Sequence, residues 1–494
     1  MAPADLLSTS PAYSTDRESD GAMPPATDPK GVTGTLSTWL AELSLTDVPE
    51  TVRERAKYLL LDGIGCALVG AKLPWSALAV ETVTRFEGTG DRTIIGWGRS
   101  TGGPAATLLN GTFIQGFELD DFHPLGPLHS ASLILPALIA CAEDRRNVDG
   151  AAFLLGAIKG FEVGPRVGMA LHGAEMLSRG WHSGSVFGTH AAAVAAGSLL
   201  GLDAAAYEDA LGLAGTQSAG LMAAQYEAMS KRMHHGFASR NGLYAAYLAA
   251  AGYTGIKRVF ERDYGGYLSV FGEGHAPDAS RITGGLGETW ETQRIVVKPY
   301  AAMGALHAPL DALFEIAQRR PLRAADITHV DIDMAHASYH HGWWKVERPL
   351  QPIGAQMNVG YAIAVAILDG AAMVDQFSPQ RIARDDVWEL IPKIEAHHDA
   401  EFDKRGPNGR GAARVRIRFA DGTSEECFKP VAHGIMTPLP AGEVLAKFRT
   451  LTNGIIRPDR GAAIEDRVLN LEKLHHAADL IALLAEPVEP AFRS

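Results

Sequence analysis

The chain is poor in cysteine. Cys66, Cys141 and Cys427 are the only three in 494 residues, and their separation fits no zinc or iron–sulfur spacing. That excludes an iron–sulfur centre and argues against a disulfide framework. It points to a reducing, cytoplasmic setting in which the three thiols are small buried hydrophobes. There is no Lys/Arg-dense run, and the formal net charge is −12, so the basic footprint of a nucleic-acid binder is missing. An anionic small molecule is not excluded, because a few local cations outweigh a distant acidic surface. No apolar run reaches the roughly 18–20 residues of a membrane span. No Gly-rich loop ends in Gly-Lys-Ser/Thr and no GxGxxG follows a clear strand, which disfavours nucleotide cofactors. Residues 1–32 are rich in Ser, Thr, Pro and Asp without periodicity. They predict a disordered tail and lack the basic start and apolar centre of a signal peptide.

What is present is a large apolar inventory. Hydrophobic residues make up 46% and charged residues 21%, the balance of a globular protein with a big core, and the length predicts more than one structural unit. In "VRERAKYLLLDGIGCALVG" the residues Val52, Ala56, Leu59, Leu60 and Ile64 recur on one helical face. "HSASLILPALIACAEDRR" is apolar nearly all round its middle and predicts a buried helix kinked at Pro136. "GTHAAAVAAGSLLGL" and "NGLYAAYLAAAGYTG" predict Ala-rich, closely packed helices that stop at glycine. The pattern then changes. "RIVVKPY" (294–300), "THVDIDMA" and "ARVRIRFADGTSEECFK" predict strands, the last as a hairpin turning at Asp421-Gly422, with the helix "GYAIAVAILDG" between them. The expected fold class is mainly α with an α+β second domain. The expected organisation is a tail at 1–32, a helical domain at 33–290, a smaller α+β lid at 291–430, and helices at 431–494 that return to the helical domain, with a cleft between the two units.

Five stretches carry candidate chemistry. "GFELDDFHPLGPLHSASLILPA" sets Asp120, Asp121, His123 and His129 in a Gly/Pro loop before an apolar run. Acids beside imidazoles tune proton transfer, and loops hold functional groups. A metal is disfavoured there, since no HExxH or comparable ligand pattern exists. "SRGWHSGSVFGTH" presents His182 at a helix start, where backbone N–H groups attract anions. "YEAMSKRMHHGFASRNG" gathers Lys231, Arg232, His234, His235 and Arg240, a cationic cluster in an acidic protein. "VVKPYAAMGALHAP" offers Lys298 and His307, and "AHASYHHGWW" offers Tyr339 among histidines. Each also has a bland reading as a packed histidine or a solvated charged face.

Six motifs in order resemble the 2-methylcitrate dehydratase/cis-aconitate decarboxylase family (MmgE/PrpD) over Gly34 to Ala485. They are "RAKYLLLDGIGCALVGA", "ELDDFHPLGPLHSASLILPA", "GWHSGSVFGTHAAAVAAGSLLGLD", "KRMHHGFASRNGLYAAYLAAAGYTG", "KPYAAMGALHAPLDA" and "AQMNVGYAIAVAILDG". "QYEAMSKRMHHGFASRNG" and "ERDYGGYL" are most similar to the fungal-type cis-aconitate decarboxylases within it. The resemblance implies a helical domain with an α+β lid, a homodimer, no cofactor and no metal, and a small anionic polycarboxylate as partner. It implies that Asp121 and His129 belong to the site with His182, Lys231, Lys298 and Tyr339; together with the stretches above, this gives catalytic roles to His129, Asp121, Tyr339 and Lys231 and substrate contacts to Asp120, His182, Lys298, His234 and His307. Which of Asp120 and Asp121 takes the family's acid position stays open. Phe122 and Met303 depart from the family pattern and make the pocket more apolar.

These residues suit the decarboxylation of cis-aconitate or a 2-alkyl derivative, with His129 as general acid oriented by Asp121 and Tyr339 as a second donor. The same set would serve a 2-methylcitrate or alkylcitrate dehydratase or an epimerase. Outside catalysis, a carboxylate-binding protein would need the cations but not His129.

Overall fold

The face formed by Val52, Ala56, Leu59, Leu60 and Ile64 builds the helix Glu50–Gly70, and all five side chains are buried. Every residue from Leu59 to Gly70 is buried as well, so this is a core helix wrapped on all sides. The computed structural model describes residues 27–405 and 411–492. The expected tail lies outside the described residues for 1–26, and its remainder leads through a turn into the helix Val32–Glu42.

The helical layer is organised around Gly188–Leu200, which packs against Ala131–Arg145, Gly150–Ala170, Ala204–Gly215 and His234–Ala250. Small side chains make this density possible. A Cβ on Gly242 would stand 2.5 Å from both Ala192 Cβ and the Thr189 carbonyl oxygen, so only glycine lets the two helices approach this closely. The predicted glycine stops are present: Gly201 is left-handed at φ 69°, and the chain leaves His234–Ala250 through Gly252 at φ 83°. Ala131–Arg145 continues through Pro136, buried from Ala131 to Ala142. Proline removes one backbone hydrogen bond there, and apolar burial on all sides offsets the loss.

The second layer is a four-stranded mixed sheet in the order Ile394–His398, Ile327–Met334, Ala413–Phe419, Ser424–Lys429. The first pair is parallel and the other two antiparallel. The hairpin turns where expected, with Gly422 at φ 81° and Phe419 N–H donating to the Thr423 carbonyl at 2.9 Å. Helices His307–Arg319 and Val359–Asp369 pack on the sheet and on each other. Asn358 caps the latter by accepting the Tyr361 N–H at 3.0 Å, a cap worth about 1 kcal/mol. A helical domain plus an α+β domain is therefore the architecture.

One expectation about strands is corrected, and three short strands were not foreseen. Residues 294–300 do not enter the sheet; they are β-branched because Ile295, Val296 and Val297 are buried, and their one pairing is a two-way bridge between Val296 and Phe122. The strand Ile394–His398 and the short hairpin Arg92–Ile94 with Arg99–Thr101 carry too little alternation to be read from sequence.

The chain then turns back. Ala441–Thr452 and Pro458–Leu469 pack on Glu50–Gly70. Buried Lys447 pairs with Asp62 at 2.6 Å and donates to the Leu119 carbonyl, also at 2.6 Å. Among the described residues, no single helix is long and apolar enough to cross a membrane. Glu50–Gly70 with Pro74–Glu87 passes only as a pair bent by 86°, and burial inside the protein explains the apolar character of its first member.

Candidate active site

The acidic loop is buried almost throughout: Glu118, Asp120, Asp121 and His123 are each at most 2% exposed. Fixed contacts hold it there. Phe122 and Val296 exchange backbone hydrogen bonds of 2.9 and 2.7 Å. Lys447 grips the Leu119 carbonyl from behind. His123 accepts the Gly126 N–H on Nδ1 at 2.9 Å, which puts its proton on Nε2, 3.0 Å from Glu291. His123 is thus a staple of the loop.

The two adjacent aspartates have different partners. Asp121 accepts the Ala131 N–H at 3.1 and 3.3 Å at the start of Ala131–Arg145. Burial and the neighbouring Asp120 push its carboxyl well above the usual range. Asp120 Oδ1 lies 3.2 Å from His129 Nδ1, close enough for an ion pair but off-line for a hydrogen bond. The expectation that Asp121 orients His129 is therefore corrected to Asp120, because the helix terminus already engages Asp121.

Four imidazoles converge beside this loop. His129 and His235 lie 5.1 Å apart between ring centroids, His182 and His235 5.3 Å, and His182 and His234 4.3 Å. Ser132 joins two of them, its hydroxyl 2.7 Å from His235 Nδ1 and donating to the His129 carbonyl at 3.0 Å. Gly184 makes room for the His235 ring, which a Cβ would overlap. Burial holds His182 and His235 well below the ordinary imidazole range, reinforced by neighbouring imidazoles and Lys231; His234 is lowered to about 4 by burial and then Lys231. These three are neutral near pH 7. His182 Nδ1, His234 Nδ1 and His235 Nε2 are buried without a protein hydrogen-bond partner, as are His129 Nδ1 and Arg232 Nη1 beside them. His182 precedes only the single turn Ser183–Val186 rather than the long helix expected after it.

The cations meet at Glu118, which sits in a left-handed conformation at φ 54°. Lys231 Nζ donates to Glu118 Oε1. Lys298 Nζ is 3.2 Å from Oε2, and Arg232 Nη1 is 3.7 Å from Oε1. Burial alone would raise the Glu118 carboxyl, but Lys231, Lys298 and Arg232 outweigh it and hold it well below the usual carboxylate range. Arg232 also donates to Gln356 Oε1 at 2.6 Å, and Gln356 donates in turn to the Phe117 and Ala301 carbonyls at 2.7 and 2.9 Å. Gln356 thereby ties the helical segment, the acidic loop and the segment after Lys298 together.

The expected residues are not all in one place. Lys231, Lys298, Asp120, His129, His182 and His234 gather around the loop. Tyr339 stands on helix His336–Gly342 with its ring edge-on to His340 at 5.6 Å, out of contact with the four imidazoles. His307 is buried, its Nε2 3.1 Å from the Ala302 carbonyl and its ring against Tyr300. Its pKa is lowered to about 3 by burial and then by Lys298, so it is neutral near pH 7 and lies within electrostatic reach of Lys298 and Glu118. Glu118, Arg232, His235, Ser132 and Gln356 were given no role from sequence. Arg232 and His235 lay in the cationic stretch, and Gln356 in the motif "AQMNVGYAIAVAILDG". Only the fold reveals that they converge.

A groove of ≈ 600 Å³, lined by Ser185, Leu221, Ser230, His234, Phe237 and Arg240 among others, opens at the His234 edge of the cluster. Among the described residues, no group of three or more His, Cys, Asp and Glu side chains is arranged to hold a metal ion. The three cysteines are free and buried.

Comparison with known proteins gives this arrangement its setting. The chain is 44% identical over 474 residues to a cis-aconitate decarboxylase-like protein of Aspergillus oryzae, covering 92% of this chain and 98% of that one. It is 43% identical over 477 residues to the cis-aconitate decarboxylase of Aspergillus terreus, with 93% and 97% covered. The human cis-aconitate decarboxylase is 26% identical over 479 residues, with 94% and 97% covered. Residues 34–278 match the MmgE/PrpD N-terminal domain and residues 300–473 the MmgE/PrpD C-terminal domain, and the chain belongs to the MmgE/PrpD family.

Proposed function

We propose that this protein is a cofactor-independent carbon–carbon lyase that decarboxylates cis-aconitate, or a 2-alkyl derivative of it, to an itaconate-type product. The observation that carries this reading is the meeting of Lys231, Arg232 and Lys298 with four imidazoles against one buried acidic loop. The identity of 43–44% to proteins named for cis-aconitate decarboxylation supports the same reaction.

A tricarboxylate needs several cationic or hydrogen-bonding contacts. Three cations share a single carboxylate at Glu118, so positive charge remains for substrate carboxylates, and bonds to ionised partners are of the stronger, charge-assisted class. Neutral His182 and His234 add contacts that place no further charge in a buried space. As the carbon–carbon bond breaks, carbon dioxide leaves and the electron pair delocalises through the allylic system into a remaining carboxylate, which the cations stabilise. The double bond shifts and a proton is added at the far carbon. His129 delivers it, with Asp120 placing the ring, and solvent restores the proton; His129 keeps 17% side-chain exposure against 4% for His182, which gives it the route to water. Tyr339 is the second-ranked donor, since its ring contact is with His340.

The test is product analysis with purified protein. Cis-aconitate is expected to yield carbon dioxide and itaconate in equal amounts without added cofactor and undiminished by a chelator. A hydrated product with no carbon dioxide would replace this reading with a dehydratase. His129→Gln is expected to lower turnover about 10²–10⁴-fold while affinity for tricarballylate, a non-reacting tricarboxylate, persists; an unchanged rate would remove His129 from the proton-donor role. We include in the proposal a homodimer, checked by light scattering, a cytoplasmic location, checked by fractionation, and a division into a helical domain at 33–290 and 431–494 and an α+β lid at 291–430, checked by limited proteolysis.

A further inference from the structure

Glu118 has no part in the chemistry above, yet it is the point where the cations meet. We propose that Glu118 is a positioning residue that fixes Lys231 and Lys298 on one point and supplies their buried counter-charge, so that the site grips an anionic substrate at neutral pH. The activity arm of this inference rests on the decarboxylase reading; the stability arm does not.

The argument starts from burial. Lys231, Arg232 and Lys298 are 4%, 2% and 2% exposed. An ammonium taken out of water loses its proton unless a counter-charge holds it. Lys231 faces Glu118, with Arg232 and Lys298 as like charges and the imidazoles of His129, His182, His234 and His235 around it. Asp120 is the next acid within electrostatic reach of Arg232. Among the described residues, Glu118 is therefore the one carboxylate in direct contact with both lysines. Lys231 is already lowered by burial, and Glu118 is the main influence raising it. Without that charge, three mutually repelling cations would share a buried space, and Lys231, already lowered, would yield by losing its proton more readily than an arginine. The geometry has a second consequence. Lys298 also reaches the Glu118 carbonyl oxygen at 3.4 Å, and the left-handed backbone at Glu118 turns the side chain back to the same ammonium. The residue thus sets the distance between two cations drawn from segments separated widely in sequence.

The experiment compares wild type with Glu118→Gln and Glu118→Asp. Glutamine keeps the shape and loses the charge. In Glu118→Gln a lysine with a depressed folded pKa binds fewer protons than its unfolded form, so stability falls as pH falls below the unfolded lysine value. The gap in thermal midpoint between wild type and Glu118→Gln is expected to widen as pH falls from 9 to the new lysine pKa and to level off below it. A merely structural loss gives a gap that does not change with pH, and that result overturns the inference. This readout needs no substrate, so it stands even if the wild type releases no carbon dioxide from cis-aconitate, a result that sinks the functional reading alone. In the activity arm, Glu118→Gln is expected to lose kcat/KM about tenfold for each pH unit above the new lysine pKa, recovering toward pH 6. A profile parallel to wild type, or tighter binding of tricarballylate at pH 8, overturns the proposal. If Glu118→Gln does not fold, Glu118→Asp decides: the charge remains but the cations shift, so kcat/KM drops at least tenfold with a wild-type pH profile. Wild-type activity in Glu118→Asp overturns the positioning role.

Discussion

Two charged networks in this molecule use the same side-chain types for opposite ends. At Glu118, a carboxylate with 3% side-chain exposure faces two lysines and an arginine that are equally buried. On the sheet, Asp331 faces Arg418 at 2.6 Å, His329 at 3.1 Å and His397 at 3.3 Å, and these partners are 53%, 29% and 42% exposed. In the sheet network Asp331 is itself buried, but its partners reach water, so their charges are solvated whether or not they are paired. In the loop network the partners are buried too, so every charge depends on its partner. Ion pairing by itself therefore says little about function. What separates the two sites is the cost of breaking a pair, and that cost follows burial.

The largest expected difference is at Lys231. Lys231→Met removes the cation that donates to Glu118 Oε1 while Lys298 and Arg232 remain. Breaking a buried pair costs about 3–5 kcal/mol, and the two surviving cations place this variant near the lower end. Loss of one preoriented cation at developing negative charge is expected to lower kcat/KM about 10²–10³-fold. Denaturant unfolding and steady-state kinetics check the two numbers. A variant that kept wild-type stability would erase the contrast between the two networks.

The same contrast explains how much of this molecule could be read from its sequence. The helix Glu50–Gly70, the glycine stops at Gly201 and Gly252 and the hairpin at Asp421-Gly422 rest on local periodicity and turn chemistry, so they were legible. The strand assigned to 294–300 failed because a β-branched run also suits a buried connector held by one bridge to Phe122. His129, His182, Lys231 and Lys298 stood out because cationic and imidazole residues are uncommon next to apolar runs. Glu118 did not stand out, because an acid before two aspartates looks like part of a solvated loop until Lys231, Arg232 and Lys298 are brought to it. The choice between Asp120 and Asp121 needed the backbone amide of Ala131. Long-range pairing of this kind has no one-dimensional signature.

Acid should weaken the two networks in different windows. The buried imidazoles have lowered pKa values, His234 to about 4 and His182 and His235 well below the ordinary imidazole range, through burial first. An unfolded histidine titrates near pH 6.5, so between about pH 6.5 and pH 4 the unfolded chain binds more protons and stability falls as pH falls. The slope reaches at most about 1.4 kcal/mol per pH unit for each imidazole. Asp331 has the same sign in a lower window. Burial raises its carboxyl, but His329, His397 and Arg418 together hold it below the ordinary value, so its contribution persists down to about pH 4, near the unfolded aspartate value, and is lost below. Urea unfolding at pH 7 and pH 5 should show a loss of stability that His234→Gln reduces and Asp331→Asn does not.

The smallest effect belongs to the exposed partner. Arg418→Ala removes a guanidinium that is 53% exposed and 2.6 Å from Asp331. Exposed pairs contribute about 0.2–1 kcal/mol, because water solvates both charges and ordering a long side chain costs entropy. Asp331 also keeps His329 and His397 within 3.3 Å, so the loss should sit at the lower end of that range and shrink further with added salt. Kinetics should match wild type, since Arg418 lies on the sheet hairpin, where it pairs with Asp331 rather than with Glu118. A loss as large as that of Lys231→Met would mean that the sheet network is as dry as the loop network, and that exposure is the wrong quantity for telling the two apart.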